Sequence, residues 1–346
     1  MLRTLPAPPE DWGRPWGLAA APGGGALFVS DERTGVLQRV AVASPGEVEQ
    51  GEDREAREVV AGLKCPQGIC RASDRLYICE AGKGRVCSLN LAEGRRPQIE
   101  SLWEKLKIPS GIAVAHASDS NSLLHVACAG DHSVLAKDLR CEDEVCIVAG
   151  IPGTAGNMKK DAETGFHDPC GDGGLATEAR LFSPCGIAIA PSGHLLIADS
   201  YNGRVRSVDG AGIIQTIAGA DQTAPCGSRG PAAEINIGQT RCIAFPADDG
   251  GPFVSASPGV VWQLSQGEMC PIAGTWNDSF NGESGDAQEV RLNVPCGLAC
   301  LDGRVAIADS GNRRVRLVEL NSAKPSRRSL KSAMAKLLTN KTSDAI

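Results

Sequence analysis

Apolar and polar residues alternate along this chain in short runs, not in helical periods. In GHLLIADS (193–200) and GRVRSV (203–208) the alternation is that of strands, and Gly and Asp punctuate the ends. These runs recur. SPCGIAIAPSGHLLIADSYNGRVRSV (183–208) returns as VPCGLACLDGRVAIADSGNRRVRLV (294–318), and fainter copies start at Arg14, Cys65 and Ile108, with a degenerate one at Gly238. Gly17, Gly68, Gly111, Gly186, Cys242 and Gly297 mark the common register, at spacings of 51, 43, 75, 56 and 55 residues. Most copies hold three strand-like runs, and AREVVAGL, QIESLWEKL, EVCIVAGI, IIQTIAGA and EMCPIAGT each add a fourth after the first five. Four strands per repeat at such periods predict propeller blades, which bury their two faces by stacking around an axis.

The expected fold is therefore all-β, a six-bladed β-propeller of four-stranded antiparallel blades over residues 1–320. The last copy has no fourth run after Val318, while LRTLP at 2–6 is strand-compatible, so the N-terminal segment is expected to complete the sixth blade and remove an open edge. Residues 321–346 break the pattern. They carry six Lys or Arg against Asp344, a formal +5 in a chain of −6, and Leu330, Met334, Leu337 and Leu338 share one helical face. A short, basic, amphipathic helical tail is expected there.

Pro-x-Gly-Ile-Ala, Leu-Ile-Ala-Asp-Ser and Asn-x-Arg-Val-Arg resemble the NHL repeat over roughly residues 14 to 318, and the resemblance implies the six-bladed propeller. A second marker extends the register into the weak fifth copy. Gly171, Gly174, Glu178 and Leu181 match Gly282, Gly285, Glu289 and Leu292, and also Gly227, Gly230, Glu234 and Ile237, in spacing.

Candidate chemistry falls into shared and individual positions. Asp31, Glu80, Asp199 and Asp309 follow the second strand, with Arg85, Arg204 and Arg314 five residues beyond three of them. A carboxylate there can accept turn N–H groups and pair with that arginine, a structural device common to blades. Individuality lies at the strand entries, where the residue between Pro and Gly should point to the axis: Trp16, Gln67, Ser110, Cys185, Arg241 and Cys296. Arg241 lies between the two thiols around the ring, an arrangement expected to lower a thiol pKa. Individuality also lies in the linker. Gly150 to Gly171 spans 21 residues against 8 for Gly219 to Gly227 and Gly274 to Gly282, an insertion of 13 that carries Lys159, Lys160, Asp161, Glu163, Phe166 and His167. In its repeats the chain is similar to the propeller of peptidylglycine amidating lyases, where His at such entries holds zinc. None of the six entries here is His, and His116, His125, His132, His167 and His194 fall elsewhere.

Composition narrows the function classes. A net charge of −6 argues against a nucleic-acid surface, although Arg204, Arg206, Arg313, Arg314 and Arg316 could form a local basic patch. No apolar run reaches membrane-spanning length, and residues 1–17 lack a secretory h-region. Fourteen cysteines without an export signal, several in apolar runs such as Cys70, Cys79 and Cys300, are expected to be reduced in a cytoplasmic protein. The expected function is a non-catalytic scaffold, without cofactor or metal, that binds a protein partner on its loop-rich face, as a free chain or a subunit of a larger complex. The alternative is a metal-dependent lyase or hydrolase at the mouth of the central channel.

Overall fold

Six antiparallel sheets radiate from one axis, and the innermost strand of each packs against the innermost strands of both neighbours until the ring closes between Pro15–Ala20 and Pro295–Leu301. This computed structural model describes residues 1–5, 7, 12–43, 56–92, 97–118, 121–141, 144–156, 170–220, 224, 229–246, 250–278 and 280–320. Blade 1 runs outward through Pro15–Ala20, Ala26–Asp31, Val36–Ala41 and Arg57–Val60. Blades 2 to 5 repeat that order from the inner strands Pro66–Ala72, Pro109–Ser118, Pro184–Ile189 and Gln239–Ala244. Among the described residues there is no α-helix, only short 3-10 turns; the helical tail expected over 321–346 lies outside the described residues.

The sixth blade closes as the repeat predicts. Leu2–Thr4 pairs antiparallel with Arg314–Glu319, so the first and last parts of the propeller share one sheet. Leu2 is fully buried among Phe253, Leu298, Val305 and Ile307. The cores lie between successive blades, as in the cluster where Val29 and Leu18 of blade 1 meet Ala306 and Leu317 of blade 6.

The register glycines have a steric cause. A Cβ on Gly111 would lie 2.0 Å from the Cys185 carbonyl, and one on Gly297 would lie 2.1 Å from the Trp16 carbonyl, because neighbouring inner strands meet there backbone to backbone. Blade 5 departs from this rule, and Cys242 packs partly buried against the apolar cluster between blades 5 and 6. Its N–H is held by Ser255 Oγ at 3.0 Å, and that hydroxyl donates to the Cys296 carbonyl at 2.8 Å. Ser30 makes the same bridge from Gly17 to the Gln67 carbonyl.

The second sequence marker is an edge cover. Gly230–Pro231 and Ser284–Gly285 add short strands beside Glu268–Gly274 and Leu2–Thr4, and Leu175 bridges to Ile213 in blade 4. Behind each, the N–H of Gly150, Gly219 or Gly274 donates to the carbonyl of Ala176, Ala232 or Ala287 at 2.8 Å. Pairing of this kind blunts the outer edges of three blades.

The carboxylates clamp the beginning of the inner strand and, through an arginine of the third strand in blades 2, 4 and 6, tie the second strand to the third. Asp199 Oδ1 accepts from the Phe182 N–H at 2.7 Å, Asp309 Oδ1 from Asn293 at 2.7 Å, and Glu80 Oε1 from Lys64 at 2.8 Å. Asp31 accepts from Gly13, Arg14, Arg33 and Thr34. The arginine five residues on serves only Glu80, through Arg85 Nε at 2.6 Å. In blades 4 and 6 the partner stands seven residues on. Arg206 reaches Asp199 at 3.2 Å and Asp172 at 2.7 Å, and Arg316 reaches Asp309 at 3.1 Å and Glu283 at 3.7 Å, both guanidiniums being wholly buried. Burial pushes the Asp199 and Asp309 carboxyls up, against the opposing pull of these arginines. Burial acts the same way on the Glu80 carboxyl, but the hydrogen bonds of Lys83, Arg85 and the Lys64 N–H outweigh it and hold that group below its usual value.

Two stability outcomes follow from these contacts. Leu2→Ala leaves a hole in a closed core and should cost about 3 kcal/mol, and removal of residues 1–5 should lower the melting temperature of the entire ring; unchanged melting in either variant refutes the closure. Arg206→Met strands Asp199 and Asp172 and should cost about 3–5 kcal/mol by denaturant titration, more than Asp199→Asn.

Candidate functional site

The inner strands all run in one direction along the axis, so their entries, the turns after the second strands and the linkers between blades share one face, the entry face. On the axis lies a cavity of about 270 Å³. Of the six entry residues, Trp16, Ser110, Cys185, Arg241 and Cys296 line it. Gln67 does not. Its amide is buried and donates to Glu32 Oε1 at 3.2 Å, drawn aside by the carboxylate that follows Asp31.

Each lining residue has a local explanation. The Ser110 hydroxyl is buried within 3.2 Å of the Ala127, Pro184 and Cys185 carbonyls, so it stitches blade 3 to blade 4. The thiols of Cys185 and Cys296 face the carbonyls two residues earlier, Ser183 at 3.5 Å and Val294 at 3.4 Å. Trp16 is covered by the Arg14 guanidinium at 5.0 Å, and Arg14 is itself paired to Glu32 at 2.9 Å. Arg241 donates to Ser257 Oγ and Gln239 Oε1, both at 3.2 Å. Deeper in, the wall is apolar, with Ile69, Ile112, Ile187, Ile243, Phe245 and Leu298.

This geometry weighs against an activated thiol. Burial pushes the Cys296 thiol up to about 12, and the nearby Arg241 and Arg14 offset that shift only in part. Burial likewise pushes Cys242 up to about 11. Desolvation of a thiolate in an apolar wall outweighs a guanidinium that remains half in water. Among the described residues no group of three His, Cys, Asp or Glu could hold a metal ion.

The basic patch is also undone. Arg206 and Arg316 are buried in the carboxylate clamps and Arg204 is nearly buried, which leaves only Arg313 and Arg314 toward solvent. Lys159, Lys160, Asp161, Glu163, Phe166 and His167 of the insertion lie outside the described residues. Their flanks are anchored on the entry face: the Gly156 N–H donates to the Leu181 carbonyl at 2.8 Å, and Arg206 donates to the carbonyl of Cys170.

Beside those flanks lies a feature that the repeat analysis missed. His132, Phe182 and Tyr201 form an aromatic row across blades 3 and 4, with ring centroids 5.5 and 5.1 Å apart, and the Ser183 N–H donates to His132 Nδ1 at 3.1 Å. Tyr201 is 43% exposed and Ile108, at the neighbouring entry, 52% exposed. The one signal in the sequence was an aromatic residue at a turn tip, in DSYNGR.

The family model Teneurin NHL domain matches residues 136–248. Teneurin-4 of Homo sapiens is 25% identical over 271 residues, which cover 55% of this chain and 9% of teneurin-4, so the chain spans less than a tenth of that relative. A crystal structure of a protein of unknown function from Bacteroides thetaiotaomicron superposes with a TM-score of 0.68 at 14% identity, over 92% of this chain and 75% of that one. A streptogramin B lyase superposes with a TM-score of 0.54 at 10% identity, over 93% and 98%. Likeness at these identities is likeness of fold.

Reactivity checks the reading of the channel. Timed iodoacetamide labelling of the folded protein at pH 7.5, read by peptide mass spectrometry, should modify exposed Cys65, Cys141 and Cys146 at least a hundredfold faster than Cys296. Comparable labelling of Cys296 would show a thiolate that the wall does not allow.

Proposed function

We propose, from the premise that the chain belongs to the NHL-repeat six-bladed β-propellers, that it is a non-catalytic scaffold which holds a partner protein against its entry face. In this reading residues 1–320 are the propeller and 321–346 a basic tail, within the cytoplasm.

The observation that carries the proposal is exposed Tyr201 packed on half-buried Phe182, with exposed Ile108 at the entry of the preceding blade. Aromatic and aliphatic side chains on backbone that is already fixed lose little entropy on docking, and such residues dominate binding energy in protein interfaces. Here the Asp199 clamp fixes the Phe182 backbone and the Asn202 side chain, so the row is preorganised. The described flanks of the insertion, Gly156 and Cys170, are anchored to the same blade, and Lys159, Lys160, Phe166 and His167 are proposed as further partner-binding residues.

The competing reading is an enzyme at the channel mouth. It draws on the fold shared with a streptogramin B lyase. Against it, the described wall offers apolar side chains, a hydroxyl engaged by carbonyls and the Cys296 thiol, which burial pushes up, a set that suits neither general acid–base work nor metal ligation.

The test is affinity capture with the intact chain, followed by reconstitution of the captured protein from purified components. Tyr201→Ala and Ile108→Asp should each raise the dissociation constant at least tenfold, about 1.4 kcal/mol, while Ser192→Asp at the exposed turn after the first strand of blade 4 leaves it unchanged. Equal affinity across all variants, or turnover of a substrate with stoichiometric metal, overturns the scaffold.

A further inference from the structure

Arg241 stands in the wall of the axial cavity and Arg14 lies over the lining Trp16, and of the two, among the described residues, only Arg14 faces a carboxylate. Arg14 is paired with Glu32 at 2.9 Å and stacked on Trp16. Arg241 lines the cavity half-buried, and its hydrogen bonds go to two neutral oxygens, Ser257 Oγ from Nε and Gln239 Oε1 from one terminal nitrogen. No carboxylate among the described residues pairs with it. Gln67 is turned away to Glu32. Deeper in, the wall is Ile69, Ile112, Ile187, Ile243, Phe245 and Leu298.

A cationic fork over an apolar well has a definite complement. Partial removal of a guanidinium from water is unfavourable until an anion faces it, and its planar edge suits a carboxylate. The apolar wall gains when a hydrocarbon body replaces water. Small-molecule sites are of this kind, apolar concavities in which a few polar groups set the orientation. A volume of about 270 Å³ leaves room for a small organic molecule rather than a single water.

We propose that the axial channel binds a small monocarboxylate with an apolar body of about seven carbons, its carboxylate on Arg241 and its chain among the isoleucines. The site is separate from the aromatic row on the entry face, and it stands or falls independently of partner docking there.

Octanoate is the probe, titrated calorimetrically into the full chain. One saturable site is expected, with octan-1-ol at least tenfold weaker because it lacks the charge. Arg241→Gln should weaken octanoate at least tenfold, Arg241→Lys should retain part of the binding, and both should melt with the parent protein, since the side chain holds only a serine and a glutamine. Tyr201→Ala should leave octanoate binding unchanged. An unsaturable isotherm, equal affinity for the alcohol, or indifference to Arg241→Gln overturns the proposal. A peptide ending in leucine, with free and amidated C-termini, separates the two sources of such a carboxylate: if the free form displaces octanoate and binds more tightly, the natural occupant is a polypeptide terminus and the small acid is wrong.

Discussion

The whole molecule depends on six inner strands meeting backbone to backbone around the axis. At Gly111 and Gly297 the space for a side chain is already taken by the next blade's carbonyl, so the ring has no slack. A close-packed interior of this kind cannot deform gradually. It fixes the width of the axial cavity and the direction of each entry residue, and it makes every blade a condition for its neighbours. The serine bridges from Ser30 and Ser255 reinforce the same contacts, with Ser110 doing so from the entry itself.

Rigidity at the axis is passed to the entry face by the carboxylate clamps. Asp199 and Asp309 hold the residue that leads into the inner strand while Asn202 and Asn312 tie in the following turn. Loops held in this way present side chains without first being ordered. That is why exposed aromatic groups on this face are a stronger sign of recognition than the same groups on loose loops. The face thus carries two chemically distinct features, an aromatic row at its rim and a cation at its centre.

The fold was legible because repetition reports it many times over: six register markers, four runs per copy and an N-terminal run that fits the one missing place. The clamps were legible in outline only. Strand pairing places Asp199 opposite Arg204, which made the nearer arginine the natural partner, yet Arg206, two residues on along the same face, is the one that reaches both Asp199 and Asp172. The thiol beside Arg241 was left open because a sequence shows which charges are near but not how much water remains, and the desolvation of Cys296 prevails. Gln67 was misplaced for a related reason, since Glu32 competes for its amide from a neighbouring blade. The aromatic row lay beyond reach because it joins residues 132, 182 and 201, whose meeting depends on the packing of two blades.

Blade 5 offers an internal comparison that explains why buried arginines persist in blades 4 and 6. Register places Trp262 where those blades have Arg206 and Arg316, and Ala256 where they have Asp199 and Asp309. Trp262 fills its site completely and donates to the Ile237 carbonyl at 3.2 Å. An apolar solution is therefore available to this architecture, as expected when the desolvation of an ion pair rivals its attraction. What the tryptophan cannot do is reach two acceptors at once. Arg206 joins the clamp at Asp199 to Asp172 and Cys170, where the chain returns from the insertion, and Arg316 joins Asp309 to Gly282 and Thr4, where the ring closes. The buried charges thus mark the two places where a long linker or a chain terminus must be held in register, and specification of those joints, more than net stability, is what the arginines contribute.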